Sequence, residues 1–346
     1  MSPLKKFMMK PFSIAFAACL LLVTQSSVTG AQADTIYARP GQLVSAGAHR
    51  LNLYCMGSGS PTVVFDSGWE DWAPAWSVVQ PRVATFTRAC SYDRAGAGFS
   101  EAGPMPRTSM QIADELHTAL HSAGITGRFI LVGSAFGADN VRAFADRYMP
   151  EVAGLVMVDG DAGDLESKEL QEKDHAGDAR HAADLRECRD SVAAGKPLPM
   201  LPARPGRPPR TCAQQFFRGL PEVMWSPALN AKLLQLAQTK VAMYGAYISE
   251  MEEMPRDEVY LHEHSVSFGS RPIRVLTSGY HGFGSLRAQT AEDLKWEHEV
   301  SAAQARWLEL SSNAKQIFVK QSSEYIQFDQ PDAVTEAIRE VLTQSK

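Results

Sequence analysis

Short apolar runs recur along this chain, and most are separated by stretches with helical spacing. Residues 50–56 (RLNLYCM) alternate apolar and polar side chains, which predicts a half-buried strand. PTVVFD (61–66) and FTRACSY (86–92) predict two short apolar strands. Between Arg107 and Gly124, Met110, Ile112, Leu116 and Leu120 fall at helical spacing. FILVG (129–133) predicts a strand, followed by a helix through Tyr148. AGLVMVD (153–159), IRVLTS (273–278) and QIFVK (316–320) complete the strands. PDAVTEAIREVLTQ (331–344) is amphipathic, with Val334, Ile338, Val341 and Leu342 on one face. Continuous apolar strands alternating with helices predict an α/β fold: a mostly parallel central sheet covered by helices on both faces.

Residues 162–270 break that rhythm. PLPMLPARPGRPPR (197–210) is a Pro/Arg loop, read as solvated surface, and the stretch after it through Met254-Pro255 is helical and rich in Met and aromatics. An insertion between two sheet strands predicts a helical cap over 162–270, with a core from 45–161 and 271–346. No internal repeat is present.

The first 33 residues change the picture of where the chain works. Lys5, Lys6 and Lys10 precede the apolar run FSIAFAACLLLV, and AQA (31–33) is a small-x-small cleavage pattern. This reads as a secretory signal peptide, with a secreted or periplasmic destination and no stable membrane anchor after cleavage. Removing it takes the formal net charge from −5 to −8, because three lysines and no acids are lost. An acidic chain of this kind is not expected to bind nucleic acid or an anionic membrane. Four cysteines remain, and an even number in an exported chain suggests disulfides. Three pairings are possible; Cys55–Cys90 and Cys188–Cys212 are preferred because each joins one region of the chain. No Cys/His spacing resembles a zinc site, and no cofactor or metal is expected.

The stretch ILVGSAFGADNVRAF (130–144) carries the chemistry. An apolar strand, Gly133-Ser134-Ala135-Phe136-Gly137 and a helix reproduce the frame of a nucleophile elbow. Together with TVVFDSGWEDWAPAW, CSYDRAGAGFSE and SSEYIQFDQPDAV, it resembles the alpha/beta-hydrolase family, close to its secreted esterase and lipase-like members. The resemblance covers about residues 45 to 345. It implies a hydrolase fold with a helical cap, and an oxyanion hole from the backbone N–H groups of Phe136 and Trp69, the latter in Ser67-Gly68-Trp69.

The departures from the family pattern fall on catalytic positions. The family usually reads Gly-His-Ser-x-Gly, where this chain has Ser134 and Ala135 in place of His and Ser. The family's histidine usually follows the last strand, before Tyr-Ile-Gln, and Glu324 stands there. Ala135 has no nucleophilic atom. A carboxylate at 324 can act as a base but cannot shuttle protons near neutral pH as an imidazole does. Asp159, or Asp161 two residues on, is the candidate acid; the segment after IRVLTS offers Tyr280 and His281 but no adjacent carboxylate. Ser134 and His281 are weaker candidates, because neighbours on a tight turn point apart and because loop histidines are commonly solvated. His262, His264, Glu70 and Asp71 carry the same solvated-loop reading. His117 and His121, one helical turn apart, read as helix surface for want of a third ligand.

Three functions follow. One is a carboxylic-ester hydrolase scaffold with little or no serine-esterase activity. A second is an enzyme of changed mechanism, with Glu324 as general base beside the oxyanion hole. The third is a non-catalytic binder of a small apolar ester- or acid-like ligand, lined by Met224, Trp225, Met243, Tyr244 and Tyr247.

Overall fold

The computed structural model describes residues 34–160, 168–203, 209–216, 225–280 and 290–345. The segment read as a signal peptide, and Asp161, Met224 and His281, lie outside the described residues. The strands are β1 (Gln42–Ser45), β2 (Arg50–Met56), β3 (Thr62–Asp66), β4 (Ala89–Asp93), β5 (Phe129–Ser134), β6 (Val152–Val158), β7 (Met200–Leu201), β8 (Arg210–Thr211), β9 (Ile273–Tyr280) and β10 (Ala314–Ser323). The longer helices are α1 (Ser109–Ser122), α2 (Gly137–Tyr148), α3 (Lys168–Ala193), α4 (Pro227–Thr239), α5 (Val241–Glu263), α6 (Ala291–Ala305) and α7 (Pro331–Gln344).

Eight strands form one sheet in the order β1-β2-β4-β3-β5-β6-β9-β10. β1–β2 and β2–β4 pair antiparallel, and every pair from β4–β3 onward is parallel. Side-chain alternation divides the core. Leu131, Leu155 and Met157 face the cluster built with α1 and α2, through Leu116, Leu120, Val141 and Phe144. Ile130, Val132, Val156 and Val158 face the opposite cluster, completed by Trp76 and by Val334, Ile338 and Val341 of α7. A parallel sheet buried on both faces is what such uniformly apolar strands require.

Two differences from the sequence reading stand out among the element boundaries. FTRACSY becomes a strand only at Ala89, because Phe86 and Thr87 still donate back to the Val83 carbonyl at the end of the short helix Gln80–Val83. The helical stretch after Trp225 divides at Lys240, and its second helix runs through Pro255 to Glu263. Ser226 caps α4, its hydroxyl accepting from the Leu229 N–H. Cys55–Cys90 joins neighbouring strands β2 and β4, and Cys188–Cys212 ties α3 to the turn after β8.

α5 grips the start of α1. The Arg107 N–H donates to Ser249 Oγ at 2.9 Å, and the Ser109 N–H to Asp257 Oδ2 at 2.6 Å. Burial pushes the Asp257 carboxyl from its ordinary 3.8 up to about 7, outweighing the opposing hydrogen bonds from Ser109. The folded chain therefore holds this proton where the unfolded chain has released it. The associated stability is complete below pH 4 and is lost as pH rises towards 7. Asp257→Asn is expected to flatten that part of the profile, with urea denaturation at pH 4.5 and 7.5 as the check. An unaltered slope in the variant would exclude Asp257 as its source.

Candidate functional site

β5 ends at Ser134, and the chain turns at Ala135 with φ +46° before α2 begins at Gly137. This is the left-handed region, costly for a residue with a Cβ and characteristic of functional turns. The bend admits no side chain on either flank. A Cβ on Gly133 would stand 2.4 Å from the Gly137 carbonyl oxygen, and one on Gly137 2.5 Å from that of Asp66. The Ala135 carbonyl accepts from the Ala138 N–H at 2.8 Å, closing the first turn of α2. Phe136 provides no side-chain cap, and the open N-terminal end of the helix faces the bend. Ala135 is half-exposed at the apex.

The loop after β3 packs directly on this apex. A Cβ on Gly68 would stand 3.5 Å from Ala135 Cβ and 3.4 Å from Asp71 Oδ2, so the buried Asp71 carboxylate lies beside the elbow. Trp69 and Phe136, whose amides are the oxyanion candidates, immediately follow these two touching residues. Trp69 Nε1 donates to the Tyr247 carbonyl at 3.0 Å. Glu70 has φ +63°, a second strained position in the same loop.

Arg94 anchors the loop from below. Its guanidinium donates to the Ser67 carbonyl at 2.7 Å and the Gly68 carbonyl at 2.9 Å. It also pairs with Asp66 at 2.9 Å and, through Nε and Nη2, with Glu250 at 2.9 and 3.1 Å. The Tyr92 hydroxyl donates to the second Asp66 oxygen at 2.5 Å. Burial pushes the Asp66 carboxyl up, against the lowering effect of Arg94.

Glu324 directly follows β10, half-exposed, in a turn held by Asp329. Asp329 Oδ2 accepts from Ser323 N–H and Oγ at 2.8 and 2.6 Å. Gln327, in the same turn, donates from Nε2 to Ser134 Oγ at 3.4 Å. The turn bearing Glu324 is thus bonded to the elbow itself. That contact also occupies Ser134, which is buried on the Gln327 side.

Asp159 directly follows β6 with φ +47° and is buried. Its carboxylate accepts from Ser278 N–H at 3.0 Å, Ser278 Oγ at 2.9 Å and Gln304 Nε2 at 3.1 Å. It sits at the same end of the sheet as the elbow, since Val158 pairs with Ser134. His262 and His264 are exposed near the end of α5, with His264 stacked on Tyr260. Trp225, Met243, Tyr244 and Tyr247 are buried in one cluster with Leu185, Phe216 and Phe328.

The sequence reading missed His181. This α3 histidine is buried, with Nε2 3.1 Å from Glu70 Oε1 and its ring edge-on to Trp69 at 4.6 Å. It brings an imidazole–carboxylate pair to the loop that faces the elbow. No local spacing could reveal it, because the partners are far apart in sequence and meet only through the placement of α3.

Comparison with known proteins gives the fold. The chain is 17% identical to a structure described as a putative epoxide hydrolase from Pseudomonas aeruginosa, with a TM-score of 0.62 over 88% of this chain and 95% of that one. It is 20% identical to a thermophilic esterase from Thermogutta terrifontis, with a TM-score of 0.56 over 89% and 99%. Among curated relatives, the uncharacterized protein YqjL of Bacillus subtilis is 23% identical over 82% of this chain and 85% of its own. Two other curated relatives match at 30% identity, but the chain spans only 29% and 19% of their lengths. No family model matches the chain. The architecture is the alpha/beta-hydrolase fold.

Proposed function

We propose that this alpha/beta-hydrolase-fold chain is a carboxylic-ester hydrolase scaffold whose nucleophile and histidine positions, Ala135 and Glu324, have been replaced. It then has little or no serine-esterase activity. One observation carries the reading: a methyl group stands at the apex of an elbow that keeps its strained backbone, its two obligatory glycines and the loop packed on it. An acyl-enzyme needs an oxygen or sulfur at that apex. Trp69 and Phe136 remain the oxyanion donors and Asp159 the acid of this scaffold. The ligand that fits it is a small apolar ester or acid, enclosed by a cap over 162–270 on a core of 45–161 and 271–346. Two disulfides accord with a secreted or periplasmic chain whose residues 1–33 serve as a signal peptide.

The test is a serine-directed fluorophosphonate probe together with p-nitrophenyl acetate. No label is expected. Hydrolysis should stay at or below the roughly 10³- to 10⁴-fold over water that an oxyanion hole and binding sustain without a triad. Stoichiometric labelling of any serine would overturn the reading.

The Gln327–Ser134 contact favours a second reading, because it sets the Glu324 turn against the elbow. Glu324 would be a general base for proton transfer, isomerisation or attack by water, with the two amides stabilising the anion formed. Under this reading Glu324→Gln abolishes any turnover found on proton-transfer substrates while the fold is retained.

A further inference from the structure

At the end of the sheet away from the elbow, three ligand-type side chains converge. His117 and His121 project from one face of α1, and Glu151 lies in the short turn Met149–Glu151 between α2 and β6. His117 Nε2 is 2.9 Å from Glu151 Oε1, and His121 Nε2 is 2.8 Å from Glu151 Oε2. All three ligand atoms lie within 4.8 Å of one another. We propose that His117, His121 and Glu151 bind one divalent transition-metal ion of the zinc class.

The chemistry of the donors sets the class. Two imidazole nitrogens and one carboxylate suit Zn²⁺, Co²⁺, Ni²⁺ or Cu²⁺, whereas Ca²⁺ and Mg²⁺ require sets of oxygen ligands. The i, i+4 spacing puts both imidazoles on one helical face, and the short turn just before β6 delivers the carboxylate. Metal–ligand bonds of about 2.0 to 2.2 Å separate neighbouring ligand atoms by roughly 3 to 3.5 Å. The His–Glu151 pairs, now at 2.8 and 2.9 Å, would open slightly, and the remaining separation, within 4.8 Å, would adjust around the ion. Each Nε2 then gives its lone pair to the metal in place of a hydrogen bond to Glu151, and a neutral ring carries its proton on Nδ1.

The surroundings hold the ligands without closing the site. The His117 ring stacks on Tyr148, centroids 3.8 Å apart and planes within 4°. The Tyr148 hydroxyl donates to Asp114 at 2.7 Å, and Asp114 also accepts from Arg147 at 2.6 and 2.8 Å. The side chains are 22%, 40% and 29% exposed for His117, His121 and Glu151, which leaves a route for the ion and a position for water.

The site is separate from the elbow. Glu151 precedes Val152, which pairs with Phe129 at the start of β5, whereas Ala135 follows its end. A bound ion would therefore cross-link α1 to the junction of α2 and β6, and this holds whatever the elbow does.

The experiment uses untagged, chelator-stripped full-length protein titrated with ZnCl₂ by calorimetry and with CoCl₂ by visible absorption. One equivalent of each is expected, with Zn²⁺ displacing Co²⁺ and Ca²⁺ or Mg²⁺ giving no heat. At a hundredfold excess over Kd, Zn²⁺ should shift the unfolding equilibrium about a hundredfold. His121→Ala and His121→Asn should fold normally, since this ring is the most exposed of the three, and should lose both the equivalent and the shift. Glu151→Gln should weaken binding at least tenfold. A wild-type chain with no stoichiometric uptake would leave only a hydrogen-bonded clamp and overturn the site. Retention of the full equivalent by both His121 variants would do the same.

Discussion

The double variant Ala135→Ser, Glu324→His is expected to hydrolyse short p-nitrophenyl esters with a kcat/KM at least a hundredfold above the parent. The backbone at 135 already holds a residue with a Cβ at φ +46°, so serine adds one oxygen and no new strain. The position is half-exposed, which leaves room for that oxygen. Histidine at 324 enters a half-exposed turn tied to the elbow through Gln327 and Ser134. Ser134 is left unchanged because its hydroxyl already serves that tie. Asp159, the proposed acid, is held at the same end of the sheet by hydrogen bonds from Ser278 and Gln304. Loss of a nucleophile or a whole triad removes about a millionfold of rate in a serine protease, so even partial recovery gives a large signal. Ala135→Ser alone should gain far less, because the position after β10 would still carry the Glu324 carboxylate in place of an imidazole. Parent and variants would be compared by initial rates and by fluorophosphonate labelling, with matched circular dichroism as the folding control. A folded double variant that neither labels nor turns over would mean that the acid or the pocket is also unsuited, and the disarmed-scaffold reading would fail.

Arg94→Met should give the largest loss of stability. Arg94 is 2% exposed and Asp66 and Glu250 are fully buried, so one guanidinium serves two carboxylates away from water. Removing one partner of a buried pair leaves charge without compensation and costs about 3–5 kcal/mol. In a chain of this size that is on the order of a 10 °C fall in Tm. Glu250→Gln should cost less, because Arg94 and Asp66 still balance each other. The Arg94 variant also loses the two hydrogen bonds that fix the Ser67 and Gly68 carbonyls. Any ligand held by the loop amides should therefore bind more weakly to it, even below its melting point. Urea denaturation of both variants distinguishes the outcomes: equal losses would assign the effect to lost packing rather than to charge.

Periodicity made the scaffold legible. The elbow needed only five residues, and the interval of 331–344 is the observed bounds of α7. The cysteine pairs preferred for their proximity along the chain are those that form. The errors have local causes, such as the Val83 carbonyl that keeps Phe86 and Thr87 out of β4. The contacts around the candidate sites were less accessible. His181 meets Glu70, Glu250 meets Arg94 and Glu151 meets two histidines only after α3, α5 and β6 have packed. His117 and His121 read as plain helix surface because a pattern along one helix cannot show a carboxylate arriving from another element.

The ion pair between α5 and the strand ends bears on how this architecture can be dismantled. Glu250 belongs to the stretch between β6 and β9, yet its carboxylate neutralises an arginine rooted at the end of β4. Excising that stretch would strand Arg94 and open the floor beneath the loop it supports. The two parts are therefore not interchangeable modules, and a foreign insertion joined to this sheet would have to bring an acid to the same point.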